Sequence, residues 1–297
     1  LVCFGHIFQI DTSGYSEFSM AFYKLIYTFH VPLFAFISGY FTNSNKSYGK
    51  SLLSLAGIIV WGNILWYICS GEKLTLMSFL TPQYHLWYIM GLIWWRTAIH
   101  VSSKFMDNKV ILFLSFLVSL IIAGMPGFDL LSVSMTLTQF PFFVVGNICR
   151  EKEGFVEKWG GQNWMFGIVP FIFVFAVYYI YPQFGDISHR GYNASLFYQY
   201  ADRAMFLIFA TTLCFAFLIL HFKIRYPKVI ANMGANSLLY YFWHAYLRFI
   251  CIYVYHCGLI ELNMATVWIM TLLILLGIYF CSKYRLAYIL MNPFCRK

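Results

Sequence analysis

Apolar stretches long enough, or nearly long enough, to cross a bilayer recur from one end of this chain to the other. They fall at 1–10, 23–41, 51–69, 85–99, 110–125, 134–149, 164–181, 204–220, 237–256 and 266–281. A helix of about 20 apolar residues covers the roughly 30 Å of hydrocarbon in a membrane. In lipid, only helices and closed barrels satisfy their own backbone hydrogen bonds. The stretches lack the apolar–polar alternation of barrel strands. They therefore predict an all-α polytopic membrane protein of about ten transmembrane helices. With 61% hydrophobic and 10% charged residues over 297 positions, little sequence is left for a separate soluble domain. A single transmembrane domain over 1–297 is expected. The first stretch is half a span, so the chain is expected to start inside its first helix, trimmed at its N-terminus.

Charge predicts the orientation. Fifteen of the 20 Lys and Arg fall in alternate loops; the other five are Lys24, Lys73, Arg190, Arg203 and Arg248. The positive-inside rule puts the richer set in the cytoplasm, and both chain ends with it. The net charge of +9 is then mostly topology and membrane-surface charge, not a nucleic-acid footprint. On the opposite side the longest loop, 182–203, carries Asp186, His189, Arg190, Tyr192, Asn193, Gln199 and Asp202. This mixture suits sugar hydroxyls and ring faces, and it also suits a plain solvated loop.

Several function classes have no signature here. The eight cysteines form no CxxC pair and no zinc-type cluster with histidine, so no metal site is expected. A disulfide between Cys251 and Cys257 is disfavoured. P-loop, Rossmann glycine and HExxH patterns are missing, and no buried carboxylate pair suggests a glycosidase or a proton relay.

Ionisable residues within apolar spans are the natural candidates for chemistry. His6 lies in VCFGHIFQ, where helical spacing puts Cys3, His6 and Gln9 on one face. His30 shares a stripe with Tyr23 and Tyr27, two residues before Pro32, which removes a backbone donor and is compatible with a broken or a merely kinked helix. Asn236, Tyr240, His244 and Arg248 form an i, i+4 progression along one side of a late span. Each of these sets serves polar packing as well as it serves a ligand. Ser38-Gly39 lacks a nucleophile elbow and reads as close packing. The stretches PLFAFISGYF (32–41) and PFFVVGNICR (141–150) are weakly alike.

Taken in order, LVCFGH, FHVPLFAFISGYF, HLWYIMGLIWWR (85–96), FPFFVVGNICR (140–150) and GANSLLYYFWHAYL (234–247) resemble the membrane-bound acyltransferase 3 family, in its branch of sugar and polysaccharide O-acetyltransferases. The resemblance covers nearly the whole chain. It implies transfer of an acetyl group from cytoplasmic acetyl-CoA, as co-substrate, to a hydroxyl of an extracytoplasmic glycan or lipid-linked sugar. It also implies a bacterial cytoplasmic membrane, lipids as neighbours and no metal. A homo-oligomer is compatible with it. It carries the catalytic histidine onto His6 and supporting roles onto His30, which is the second catalytic candidate, and onto Ser38, Trp87, Arg150 and His244. Asn236, Tyr240 and Arg248 join the candidate substrate-binding set by their shared helix side, and Lys46, Lys50, Arg150 and Lys152 are candidates for the CoA phosphates. Where the family's loop after the second span carries Arg-x-Arg, this chain has NKSYGKS with Lys46 and Lys50, which lack the bidentate fork of arginine.

A sugar hydroxyl is a weak nucleophile at neutral pH. A neutral imidazole can take its proton during attack or can itself carry the acetyl group. Two other readings stay open: a transporter or flippase of a lipid-linked sugar or small solute, and a non-catalytic glycan-binding protein.

Overall fold

The computed structural model describes residues 1–42, 48–73, 75, 77, 80–122, 130–152, 154–182 and 196–294. It is 81% helical, with no strand among the described residues. The helices are α1 (Val2–Phe8), α2 (Glu17–Phe41), α3 (Tyr48–Ser70), α4 (Leu86–Ser102), α5 (Asn108–Ile121), α6 (Val133–Arg150), α7 (Phe155–Gly160), α8 (Met165–Ile180), α9 (Leu196–Lys223), α10 (Lys228–Ala235), α11 (Ser237–His256), α12 (Met264–Cys281) and α13 (Arg285–Met291). Each apolar stretch of the sequence falls on one of them. Among the described residues, five helical segments are long and apolar enough to cross a membrane: Glu17–Phe41, Tyr48–Ser70, Leu130–Arg150, Gln199–Lys223 and Met264–Cys281. The helices at 85–99, 110–125 and 164–181 are shorter, with 17, 14 and 16 residues, and α1 has seven. The 20 residues of α11 match the expected 237–256, but its polar side chains lower its hydropathy.

Surface chemistry supports a lipid environment. On α12, Val267, Thr271, Ile274 and Ile278 are buried, while Leu272, Leu273, Leu276 and Phe280 are exposed. A helix in water pairs a buried apolar stripe with a polar outer face. Here the outer face is as apolar as the inner one, which suits hydrocarbon.

The chain packs as two compact units, one comprising 1–19, 47–90 and 226–297, the other 20–46 and 91–225. In the first, α1 packs on α11 and α12, and α11 also packs on α3 and α13. Gly62 of α3 makes room there: a Cβ would stand 2.7 Å from a Leu86 methyl and 2.9 Å from the Tyr246 hydroxyl. In the space left by that missing side chain, the Tyr246 hydroxyl donates to the Gly62 carbonyl at 2.8 Å. The C-terminal segment is tied back by Trp61 Nε1, which donates to the Leu290 carbonyl, and by Asn292 Nδ2, which donates to the Ser54 carbonyl.

The second unit is organised by a close crossing of α2 and α6. A Cβ on Gly39 would sit 2.0 Å from the Phe143 carbonyl oxygen, and one on Gly146 would sit 2.0 Å from that of Phe36. The two glycines thus play reciprocal roles in the two segments that look weakly alike in sequence. Small residues let membrane helices approach backbone to backbone, where dispersion replaces the missing hydrophobic drive. Near this crossing Phe36, Cys149, Phe155 and Leu218 form a buried cluster. α2 runs unbroken through Pro32, which costs it one backbone hydrogen bond. Elsewhere in this unit the Thr28 and Tyr178 hydroxyls are 2.6 Å apart, and Trp95 Nε1 donates to the Thr136 carbonyl at 2.9 Å.

Candidate active site

Three histidines from separate parts of the sequence meet in the first unit. His6 comes from α1, His85 from the residue before α4, and His244 from the middle of α11. The His6 and His244 ring centroids are 5.2 Å apart, and those of His244 and His85 are 5.8 Å apart. His85 and His244 are 1% and 2% exposed, whereas His6 is half-buried at the margin of the group. Aromatic rings wall the cluster: Tyr241 lies 5.7 Å from His244 and 5.5 Å from His85, and Tyr246 lies 5.4 Å from His85.

The His6 imidazole is held through Nδ1, which is hydrogen-bonded to the Tyr84 hydroxyl. Tyr84 is fixed in turn by two neighbours. Trp66 of α3 stacks on its ring at 5.1 Å and 21°, and the Arg248 guanidinium lies 5.0 Å from its centroid. Arg248 also anchors α1 itself, because its Nε donates to the His6 carbonyl at 2.7 Å. One arginine therefore holds both the backbone of His6 and the ring that His6 touches.

The local backbone explains how Tyr84 reaches this place. Its φ is +47°, in the left-handed region that a bulky residue adopts only at a cost of about 1–3 kcal/mol. The preceding Gln83 is pinned by its N–H, which donates to Oδ1 of the fully buried Asn63 at 3.0 Å. α4 then starts at Leu86, whose N–H bonds the Gln83 carbonyl. The His85 carbonyl receives both the Tyr88 N–H and the Tyr241 hydroxyl. Asn63, Trp66 and Tyr241 thus clamp a strained turn that delivers Tyr84 and His85 to the site.

The ring states of two histidines follow from their partners. His244 Nδ1 lies 3.0 Å from the Tyr240 carbonyl, which can only accept. Nδ1 therefore carries the proton, and in the neutral ring Nε2 is left as a lone-pair acceptor. That atom is buried without a hydrogen-bond partner, as are both ring nitrogens of His85. The site accordingly holds unspent hydrogen-bonding capacity in an apolar surround. The chemistry open to it is proton transfer and the orientation of a hydroxyl or carbonyl. Among the described residues there is no grouping of three or more His, Cys, Asp or Glu side chains able to hold a metal ion.

No family model, curated protein or solved structure matches the chain.

The residues singled out from the sequence divide into those the site gathers and those it does not. His6, His244 and Arg248 come together. Asn236 and Tyr240, expected on the same helix side, do not join them. Asn236 Oδ1 accepts from the Tyr288 hydroxyl and its Nδ2 bonds Asn232, while the Tyr240 hydroxyl is buried without a hydrogen-bond partner. Steps of four residues turn a helix by about 40° each, so the progression winds away from the site within two steps. Trp87 packs edge-on against Tyr88 at 5.9 Å. His30 belongs to the second unit, where its Nδ1 donates to the Ile26 carbonyl of its own helix at 2.8 Å beside the Tyr27 ring. Ser38, on the same helix, accepts the Thr42 hydroxyl at its carbonyl.

Of the candidate phosphate ligands, Arg150 donates a guanidinium N–H to the Thr42 carbonyl, just beyond the end of α2. Lys50 and Lys152 are exposed. Lys46 lies outside the described residues, as do Asp186, His189, Arg190, Tyr192 and Asn193 of the long loop. Cys251 and Cys257 are free thiols, the first buried and the second exposed.

Sequence reasoning did not single out Tyr84, His85, Trp66, Tyr241 or Asn63. His85 was the most accessible of these, since it opens the HLWYIMGLIWWR stretch.

Outside the spans, one carboxylate is tuned. The Tyr255 hydroxyl donates to Asp11 Oδ2 at 2.5 Å, and the Ser13 backbone and hydroxyl donate to Oδ1. These bonds, Tyr255's first, lower the Asp11 pKa to about 2. They tie the loop after α1 to the end of α11, two turns beyond Arg248.

Proposed function

We propose that the protein is a membrane O-acetyltransferase that moves an acetyl group from cytoplasmic acetyl-CoA to a hydroxyl of an extracytoplasmic glycan or lipid-linked sugar. In this reading His6 is the reacting imidazole. The observation that carries it is the meeting of LVCFGH, HLWYIMGLIWWR and GANSLLYYFWHAYL. Each contributes a histidine to one cluster, and these are three of the stretches on which the family resemblance rests. Spacing alone gave no reason for them to converge.

The same reading includes the finer topology: about ten spans, both ends cytoplasmic, and a bacterial cytoplasmic membrane. α1 then places His6 toward the outer side, where a glycan arrives, and the pantetheine arm of CoA brings the thioester across from within. Lys46, Lys50, Arg150 and Lys152 are proposed for the CoA phosphates. They are expected to act as point charges, apart from the forked guanidinium of Arg150. His244 and His85 line the acceptor side of His6, with buried nitrogens suited to orient a hydroxyl.

The test is transfer of labelled acetyl from acetyl-CoA to a glycan acceptor by purified protein. Wild type is expected to transfer. His6→Ala is expected to lose about 10²-fold or more of the rate with expression and donor binding retained. Near-normal turnover by folded His6→Ala would falsify the assignment of His6.

A further inference from the structure

We infer that Tyr84 is a catalytic residue: it stands between the acceptor hydroxyl and His6 and passes the proton from one to the other. The inference rests on the acetyltransferase reading and deepens it at the same site. Its starting point is the hydrogen bond between His6 Nδ1 and the Tyr84 hydroxyl. A phenol is the better donor of that pair, with an ordinary pKa near 10, and an imidazole nitrogen is the better acceptor. Tyr84 O–H therefore donates to Nδ1. The remaining ring proton of neutral His6 sits on Nε2, which then has no lone pair to offer.

Two consequences follow. The lone pair of the dyad that an approaching hydroxyl can use is on Tyr84 Oη. An acetyl group, moreover, has no nucleophilic ring nitrogen to land on while this tautomer holds. Transfer is therefore direct, within a complex of donor and acceptor. The acceptor O–H bond breaks and its proton moves to Tyr84 Oη, as the Tyr84 proton moves to His6 Nδ1 and makes an imidazolium. The hydroxyl oxygen bonds the thioester carbonyl carbon, and the carbonyl π pair moves onto its oxygen. When that pair returns, the C–S bond breaks and sulfur leaves as CoA thiolate with the bonding electrons. The imidazolium then gives a proton through Tyr84 to the thiolate. The products are the acetyl ester and CoA thiol, with both side chains restored.

The surroundings of Tyr84 suit this duty. Its oxygen gains negative character as its proton departs, and Arg248 lies 5.0 Å from its ring centroid to balance that charge. Trp66 holds the ring in plane. The left-handed backbone at +47°, clamped through Gln83 and His85, aims its side chain at His6. Both Tyr84 and His6 are half-buried, unlike His85 and His244.

The test has two parts on the full chain. First, nitrogen-15 spectra of histidine-labelled protein, with the His6 signals identified by their loss in His6→Gln, read the tautomer directly. A bare Nδ1 and a protonated Nε2 are expected, with that preference lost in Tyr84→Phe. The opposite tautomer in wild type overturns the inference whatever the activity. Second, Tyr84→Phe is expected to lose about 10²-fold in kcat. Its acetyl-CoA affinity should be unchanged, and no label should remain on wild-type protein incubated without acceptor. If His6→Ala is inactive while Tyr84→Phe turns over within about threefold of wild type, the inference fails and His6 keeps its role. Label accumulating on His6 also overturns it. If wild type transfers no acetyl group to any glycan, both readings fall together.

Discussion

His6 and His30 look interchangeable in the sequence, yet their surroundings differ. His30, in the second unit, spends Nδ1 on the carbonyl four residues back in its own helix and lies edge-on to Tyr27. His6, in the first, spends Nδ1 on a tyrosine 78 residues away, and its backbone is held by an arginine 242 residues away. A histidine that bonds its own helix needs nothing else to be stable. One held by the turn before α4 and by α11 together is a junction, and its geometry is set by distant parts of the chain.

The sharpest way to break this contrast is to remove each imidazole. His6→Ala is expected to lose about 10²-fold or more of acetyl transfer with its melting temperature nearly unchanged. His30→Ala is expected to do the reverse, lowering the melting temperature while specific activity per folded molecule holds. Equal rate losses would erase the distinction.

Backbone crossings sharpen it from the stability side. Gly39→Val and Gly146→Val drive a side chain into backbone 2.0 Å away, and backbone cannot swing aside. Each should cost about 3 kcal/mol or more, the upper end for overpacking, read as lost monodisperse protein and a lower unfolding midpoint. Gly62→Ala meets only the ends of Leu86 and Tyr246 and should cost about 1 kcal/mol. A tolerated Gly39→Val would mean that α2 and α6 do not touch as described.

Arg248→Lys should lower kcat about tenfold, because lysine cannot hold the His6 carbonyl and cover the Tyr84 ring at once. Donor affinity should stay the same. An unchanged kcat would remove Arg248 from the site.

The smallest effect concerns acid. Hydrogen bonds from Tyr255 and Ser13 hold the Asp11 pKa at about 2, below its ordinary 3.8. A lowered carboxylate pKa adds stability that is complete above the ordinary value and is lost as pH falls through the lowered one. Wild type should therefore melt above Asp11→Asn at neutral pH, and the gap should close as pH falls from about 4 towards about 2. A gap that is constant with pH would show that Asp11 acts by packing alone.

Much of the fold was legible because bilayer physics writes itself into runs of apolar residues. The positions of α1, α3, α4, α6, α8, α11 and α12 follow from those runs within three residues. α2 begins at Glu17 rather than 23 and α9 at Leu196 rather than 204, since the mixed segments 17–22 and 196–203 continue a helix without adding to an apolar run. Of the site, His6, His244 and Arg248 were legible as polar residues in apolar helices. Tyr84 was not: it is one tyrosine among 23, and its left-handed turn depends on the bond of Gln83 to Asn63, 20 residues before Gln83. Asn236 and Tyr240 stand apart from the histidine cluster for a geometric reason, because an i, i+4 row drifts off any fixed line within two turns.

The α2–α6 crossing also bears on how the protein is made. Thr42 and Arg150, which meet at its end, are 108 residues apart in the chain. At about 5–20 residues per second, a ribosome needs on the order of 5–20 s to cover that distance. Throughout that interval a newborn α2 carries Phe36 and Gly39 with no α6 packed against them. Biogenesis must bridge the delay, either by holding α2 at the insertion machinery or by letting it wait at the edge of the bilayer. A slow stretch of translation before α6 would lengthen the exposure and should lower yield more than the same pause placed after residue 150.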